Sequence, residues 1–250
     1  MSTEESVLAV LILLTALLYS SVGHGGASGY LAAMALMGLA PDVMRPVALM
    51  LNILVASIAV VKYGRAGAYS WQLFWPLALT SIPCAYMGGT MTLSGHLYKP
   101  LVGTVLLVSA WHILHTARRP MQISTACPPL PTLLSLGAAI GLLSGLTGVG
   151  GGIFISPLLL YFRWAEVRVV SGVAAAFILV NSISGLFGVA SASYALPSAM
   201  IYWAVAASIG GWIGAEYGSK RMSNATIRMF LGFVLIIAGL KMLITGLLVE

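Results

Sequence analysis

The placement of ionisable residues limits this chain more than anything else in it. Ten apolar runs, Val7–Val22, Ser28–Leu39, Pro46–Val61, Trp71–Met91, Leu97–His115, Thr132–Thr147, Ile153–Phe162, Ser171–Ala190, Pro197–Glu216 and Thr226–Val249, alternate with short segments that hold most of the charge. No Asp or Glu lies inside a run away from its ends. Of the 250 residues 60% are hydrophobic and 7% charged, against roughly 25% charged in a soluble domain. Twelve Lys and Arg with six Asp and Glu are too few to cover a water-exposed surface. A cytosolic enzyme, a nucleic-acid binder and a secreted disulfide scaffold are therefore excluded. The basic residues are spread through loops as topology signals are, without the patch that nucleic acid requires. Cys84 and Cys127 make no metal-binding spacing, and nothing calls for a cofactor. The acidic start, Met1 through Glu5, lacks the positive region of a signal peptide and is read as retained.

The two halves resemble each other. Gly23-His24-Gly25-Gly26 precedes Gly148-Val149-Gly150-Gly151 by 125 residues, and Ile53 through Ile58 precedes Ile178 through Ile183 by the same 125. The offset then drifts, to 127 for Ser81-Ile82 against Ser208-Ile209 and 129 for Gly103 against Gly232, as short loop insertions would make it. The expected organisation is a first repeat over 1–117, a Pro-rich linker over 118–131 and a second repeat over 132–250.

Two runs are too short to span. Ser28–Leu39 has 12 residues and Ile153–Phe162 has 10, reaching about 15–18 Å, half of a hydrocarbon core. Each follows a Gly-rich break, which predicts a re-entrant or broken-helix hairpin. Irregular backbone at that depth is tolerated only inside protein or against a cavity, and broken helices at matching places of two repeats point to a transport site. Lys62 and Arg65, Arg118 and Arg119, Arg163, Arg168 and Glu166, and Lys220, Arg221 and Arg228 fall on one side; Glu4, Glu5, an Asp42/Arg45 pair, Lys99 and Glu250 fall on the other. By the positive-inside rule the N-terminus lies outside. Each half crosses an odd number of times, so the repeats are inverted. The predicted fold class is an all-α polytopic membrane protein with two inverted-topology repeats, each a Gly-rich hairpin followed by three transmembrane helices.

Two stretches carry a family signature: Gly141 through Pro157, reading Gly-Leu-Leu-Ser-Gly-Leu-Thr-Gly-Val-Gly-Gly-Gly-Ile-Phe-Ile-Ser-Pro, and Ser171 through Gly188, with Asn181 at its centre. They resemble the TauE/SafE sulfite exporter family, and the resemblance extends over nearly the whole chain. In the first half His24 interrupts the glycines. The resemblance implies transport of a sulfur-containing oxyanion, such as sulfite, an organosulfonate or thiosulfate, across the cytoplasmic (inner) membrane.

An anion at the midplane needs donors, since burying bare charge is very costly. The runs offer almost no Lys or Arg, which leaves backbone N–H groups at helix N-termini, each carrying roughly half a positive charge and worth up to about 2 kcal/mol. The expected substrate-binding residues are Gly23, His24, Gly25, Gly26, Ala27 and Ser28 at the first tip and Thr147, Gly148, Gly150, Gly151 and Gly152 at the second. Ser21 and Ser144 are further hydroxyl donors. His24 is the tip residue able to add charge, with polar packing as its alternative role. Asn52, Asn181, Ser57 and Ser182 either line the cavity or tie helices together. Close helix packing is the competing account of the tip glycines, but three in succession exceed what a packing face needs. Lys62, Arg65 and Lys241 are expected to reach for the interface, Pro76, Pro83 and Pro157 to kink or end helices, and the tryptophans to mark interfacial belts.

The sequence thus predicts a secondary transporter working by alternating access. Export is favoured, because an inside-negative potential drives an anion outward by about 2.3 kcal/mol per charge per 100 mV. An anion channel or a partner-dependent subunit is the alternative, and a homodimer is compatible with the sequence. An intramembrane enzyme would need convergent catalytic groups; His112 and His115, at i and i+3, have no third ligand.

Overall fold

A computed structural model describes residues 3–91, 93–116, 128–162, 164–189, 196–220, 236–237, 239–244 and 246, with the backbone alone at 95, 109, 112, 113, 157 and 161. Most of the predicted linker and of the run Thr226–Val249, and the side chain of His112, lie outside the described residues. Among those described, helix is the only regular structure. The helices are α1 (Thr3–Ser20), α2 (Ala27–Leu36), α3 (Pro41–Arg65), α4 (Trp71–Thr90), α5 (Gly95–Thr116), α6 (Leu130–Thr147), α7 (Gly152–Tyr161), α8 (Val167–Val189) and α9 (Met200–Lys220). Their sequences are apolar on every side, as expected where lipid demands that each segment satisfy its own backbone. Helices α1, α3, α6 and α8 are long and apolar enough to cross a membrane. Leu79, Phe187 and Ile201 are more than 60% exposed on the outer surface, an arrangement suited to lipid and not to water.

The helices extend past the apolar runs at several ends. Pro41 sits in the first turn of α3, where proline's missing N–H is harmless, so Arg45 enters the helix instead of a loop. Lys62 and Arg65 occupy the last turn of α3 and Lys220 that of α9. Pro76 and Pro83 lie within α4, which runs on through both. Lys62 pairs with Glu216 and stands 3.9 Å over the Trp212 ring. Trp203 is buried, unlike an interfacial belt residue.

Helix α4 packs on α6 and α8, helix α9 packs on α1 and α3, and α3 packs on α8. Replacing each helix by its counterpart in the other half (α1 with α6, α3 with α8, α4 with α9) maps these contacts onto one another. Glycine brings backbones together in the two outer pairs. Gly137, Gly141 and Gly145 of α6 face the carbonyls of Leu77, Ser81 and Ala85; Gly210, Gly214 and Gly218 of α9 face those of Leu13, Leu17 and Ser21. A Cβ at any of the six would strike backbone. This four-residue spacing is the usual means of close approach in lipid.

Lys241, expected at the interface, instead donates to the carbonyls of Ala35 (2.7 Å) and Leu36 (2.8 Å). It therefore serves two carbonyls at the C-terminal end of α2, where a cation is favoured. Lys241→Met should lower stability in detergent by about 1–3 kcal/mol, and Lys241→Arg should retain most of it. Equal thermal midpoints for Lys241→Met and the parent protein would refute the cap.

Candidate functional site

The two glycine tips meet at one asparagine. Asn52, fully buried in mid-α3, accepts from the Ala27 N–H (3.0 Å) and donates to the Val149 carbonyl and the Ser182 hydroxyl (both 3.3 Å). Its amide therefore bridges the first residue of α2, the second tip and α8. A Cβ at Gly25 would collide with Asn52 Oδ1, and one at Gly150 with Asn52 Nδ2. Gly150 and Gly151 hold φ of 79° and 81° and Gly26 holds 101°, values open to glycine but strained for other residues. Gly26 and Gly151 are the N-caps of α2 and α7, and neither helix start has a side-chain cap from its own cap residue. Glycine backbone with donors at two helix starts is an arrangement able to hold an anion.

His24 reaches across from the first tip to α7. Its Nε2 is 3.1 Å from the Gly152 carbonyl and 2.8 Å from the Ser156 hydroxyl. A carbonyl only accepts, so a bond to Gly152 requires the tautomer with the proton on Nε2, whereas the bond to Ser156 is open to either tautomer. Tyr19 lies edge-on at 6.3 Å between ring centroids. Tyr30 donates to the Gly25 carbonyl (2.8 Å) and steadies the first tip.

The sequence-predicted residues divide into two groups. His24, Gly25, Gly26, Ala27, Asn52, Gly150, Gly151, Gly152 and Ser182 converge. Gly23 packs against the backbone of Ser171, and Gly148 against Arg45, with the Arg45 Cγ 3.1 Å from where its Cβ would lie. Three of the expected hydroxyl donors are engaged elsewhere: Ser28 donates to the Tyr19 hydroxyl (2.8 Å), Thr147 to Leu143 O (2.7 Å) and Ser21 to Leu18 O (2.6 Å). Ser57 likewise bonds back to Ile53 O (2.6 Å). Asn181 donates to Phe177 O (2.9 Å), while its Oδ1 and the Ser144 hydroxyl are buried without a partner.

Arg45 is the residue that sequence reasoning misplaced. It is 8% exposed, and it bonds carbonyls, not the exposed Asp42: Nε donates to Gly145 O and Nη1 to Met91 O (both 2.9 Å), and Nη2 to Gly88 and Gly89 O. These carbonyls belong to the C-terminal ends of α4 and α6, whose negative dipole ends suit a cation. The available signal was Pro41, which starts α3 early enough to put Arg45 in its second turn. Arg168 similarly bonds Ser219 O at the end of α9, though from an exposed position.

A model of the family "Sulfite exporter TauE/SafE" matches residues 8–242. The chain belongs to the TauE/SafE sulfite exporter family. It is 37% identical over 246 residues to a "probable membrane transporter protein" of Sinorhizobium fredii, covering 97% of this chain and 100% of the relative. A "probable membrane transporter protein" of Methanocaldococcus jannaschii is 24% identical over 200 residues, 75% of this chain and 73% of that one. No solved structure matches the chain. As a TauE/SafE member it is a multi-pass membrane transporter, and the paired tips lie within the matched region.

Proposed function

We propose that the protein moves a sulfur-containing oxyanion across the cytoplasmic membrane, outward, at a midplane site between the two glycine tips. The observation that carries this reading is the meeting of two helix starts, α2 and α7, neither capped by its own side chain, at the Asn52 amide. The first-turn amides of both helices have no i−4 carbonyl to bond. An oxyanion that displaces Asn52 from Ala27 would receive those donors from both tips, and its charge would lie at the positive ends of both dipoles.

Alternating access rests on the organisation of the chain as repeats over 1–117 and 132–250, inverted relative to each other, with the N-terminus outside. The exchange of helix contacts between halves supports it: each contact of α4 in one half has a counterpart in α9 of the other. In that arrangement the two hairpins enter from opposite faces and would open alternately.

Efflux of sulfite from proteoliposomes tests the reading. The expected result is saturable efflux that unlabelled sulfite on the far side accelerates by exchange. Flux that rises in proportion to voltage and concentration without saturating would identify a channel and remove alternating access. Absence of any flux from folded protein would remove the function.

A further inference from the structure

Behind the second tip lies a polar pair that no described residue satisfies. Ser144 of α6 and Asn181 of α8 are both 0% exposed, and the Ser144 hydroxyl and Asn181 Oδ1 have no hydrogen-bond partner. Their helices run side by side in the same direction at this level. Ile140 and Phe177 close together on Gly151, 3.0 and 2.8 Å from where its Cβ would lie, and further along the Gly145 Cα lies 3.5 Å from where a Cβ on Gly185 would be. Ser144 and Asn181 each stand one turn beyond Ile140 and Phe177. They therefore share a level, beside the second tip, with Ser182 as the next residue of α8 and Asn52 bonded to it. The orientation of the Asn181 amide is fixed, because Nδ2 donates to the Phe177 carbonyl; flipping it would set two acceptors against each other. An acceptor is left over where an anion site is otherwise built from donors.

The sign of the surrounding field narrows the occupant. Arg45, bonded to Gly145 O, is the nearest formal charge on α3. His24 faces α7 from the first tip, and Tyr98 of α5 donates to Thr147 O (3.0 Å). Helix α4 offers glycine, alanine and carbonyls here, and no Asp or Glu lies in these segments. Arg45 already occupies the carbonyl ends of α4 and α6, and together with the two helix starts it disfavours a metal cation here, while a fully deprotonated oxyanion would meet the lone pairs of Asn181. One kind of ligand satisfies both conditions: an anion that still carries an O–H.

We infer that the site selects the singly protonated form of its oxyanion, with its O–H donated to Asn181 Oδ1 and one of its oxygens accepting from the Ser144 hydroxyl. This rests on the reading of the tips as an oxyanion site and deepens it. Asn181 then sets specificity between an acid anion such as hydrogensulfite and a sulfonate, which has the same charge and no O–H. A single charge is also far cheaper to bury than two.

The test is thermal stabilisation of the whole purified protein by sulfite and by methanesulfonate, over a pH series that crosses the second ionisation of sulfite. Methanesulfonate is a monoanion throughout, so it reports any effect of His24 or of protein stability alone. The expected ratio of apparent affinities favours sulfite about tenfold on the acid side and falls steadily as sulfite loses its proton. Asn181→Leu should collapse that ratio, whereas a merely structural role would weaken both anions together. If Asn181→Leu does not fold, the ratio measured on the unaltered protein still decides. A pH-independent ratio with both anions bound overturns the selection and leaves the oxyanion site standing; a buried water between Ser144 and Asn181 predicts that result. No stabilisation by either anion at any pH overturns the oxyanion site, and the selection with it.

Discussion

Arg45→Met is expected to lower stability by about 2–5 kcal/mol, because several buried carbonyls lose their charged donor at once. The substitution leaves the carbonyls of Gly88, Gly89, Met91 and Gly145 without a donor, in a place water reaches poorly. Each orphaned acceptor costs about 1–3 kcal/mol where no rearrangement relieves it. Arg45→Lys should fall between, because an ammonium is a point donor and cannot span both the end of α4 and Gly145 of α6 as the planar fork does. The loss should appear as a lower thermal midpoint in detergent and a smaller yield of monodisperse protein. Were Arg45→Met as stable as the parent, the guanidinium could not be what holds the ends of α4 and α6 to α3.

Gly25→Ala and Gly150→Ala should each reduce sulfite flux by at least about tenfold while insertion persists, since overpacking of this kind costs about 1–3 kcal/mol. Both new methyl groups would push on the same Asn52 amide, from its Oδ1 side and its Nδ2 side. Once the amide has moved, the second substitution has less to displace. The double variant should therefore lose less than the sum of the single losses. Gly38→Ala is the control: its φ is 77°, yet nothing lies within 4 Å of its Cβ position, so it carries the conformational strain alone. Equal flux losses at Gly38 and Gly150 would attribute the Gly150 effect to backbone strain and not to Asn52; Gly25 has no positive φ, so its substitution carries the collision alone.

The half-helices were legible in the sequence because length is a physical constraint that needs no partner. The runs Ser28–Leu39 and Ile153–Phe162 lie within one to three residues of α2 and α7, and Gly23 and Gly26 before α2 and Gly148, Gly150 and Gly151 before α7 hold positive φ. The asymmetry between Asn52 and Asn181 was not legible. Both are amides in apolar runs, and only the fold shows that Asn52 reaches Val149, 97 residues away, while Asn181 turns back on its own helix. Arg45 was misread for the same reason. A charge close to a run's end resembles a loop charge until tertiary structure supplies carbonyl partners up to 100 residues distant. Lys241 was assigned to the membrane interface because the end of α2 that it serves belongs to the opposite half.

The glycine seams have a bearing on history. Backbone meets backbone where α6 lies on α4 and where α9 lies on α1, and in each seam one helix comes from each half of the chain. A half alone would leave a glycine-lined groove open to lipid, with nothing to fill it. If the similarity between the halves records a duplication, the half-length ancestor needed a second copy lying in that groove before any linker joined the two. The fusion would then have made permanent a pairing that the glycines already required.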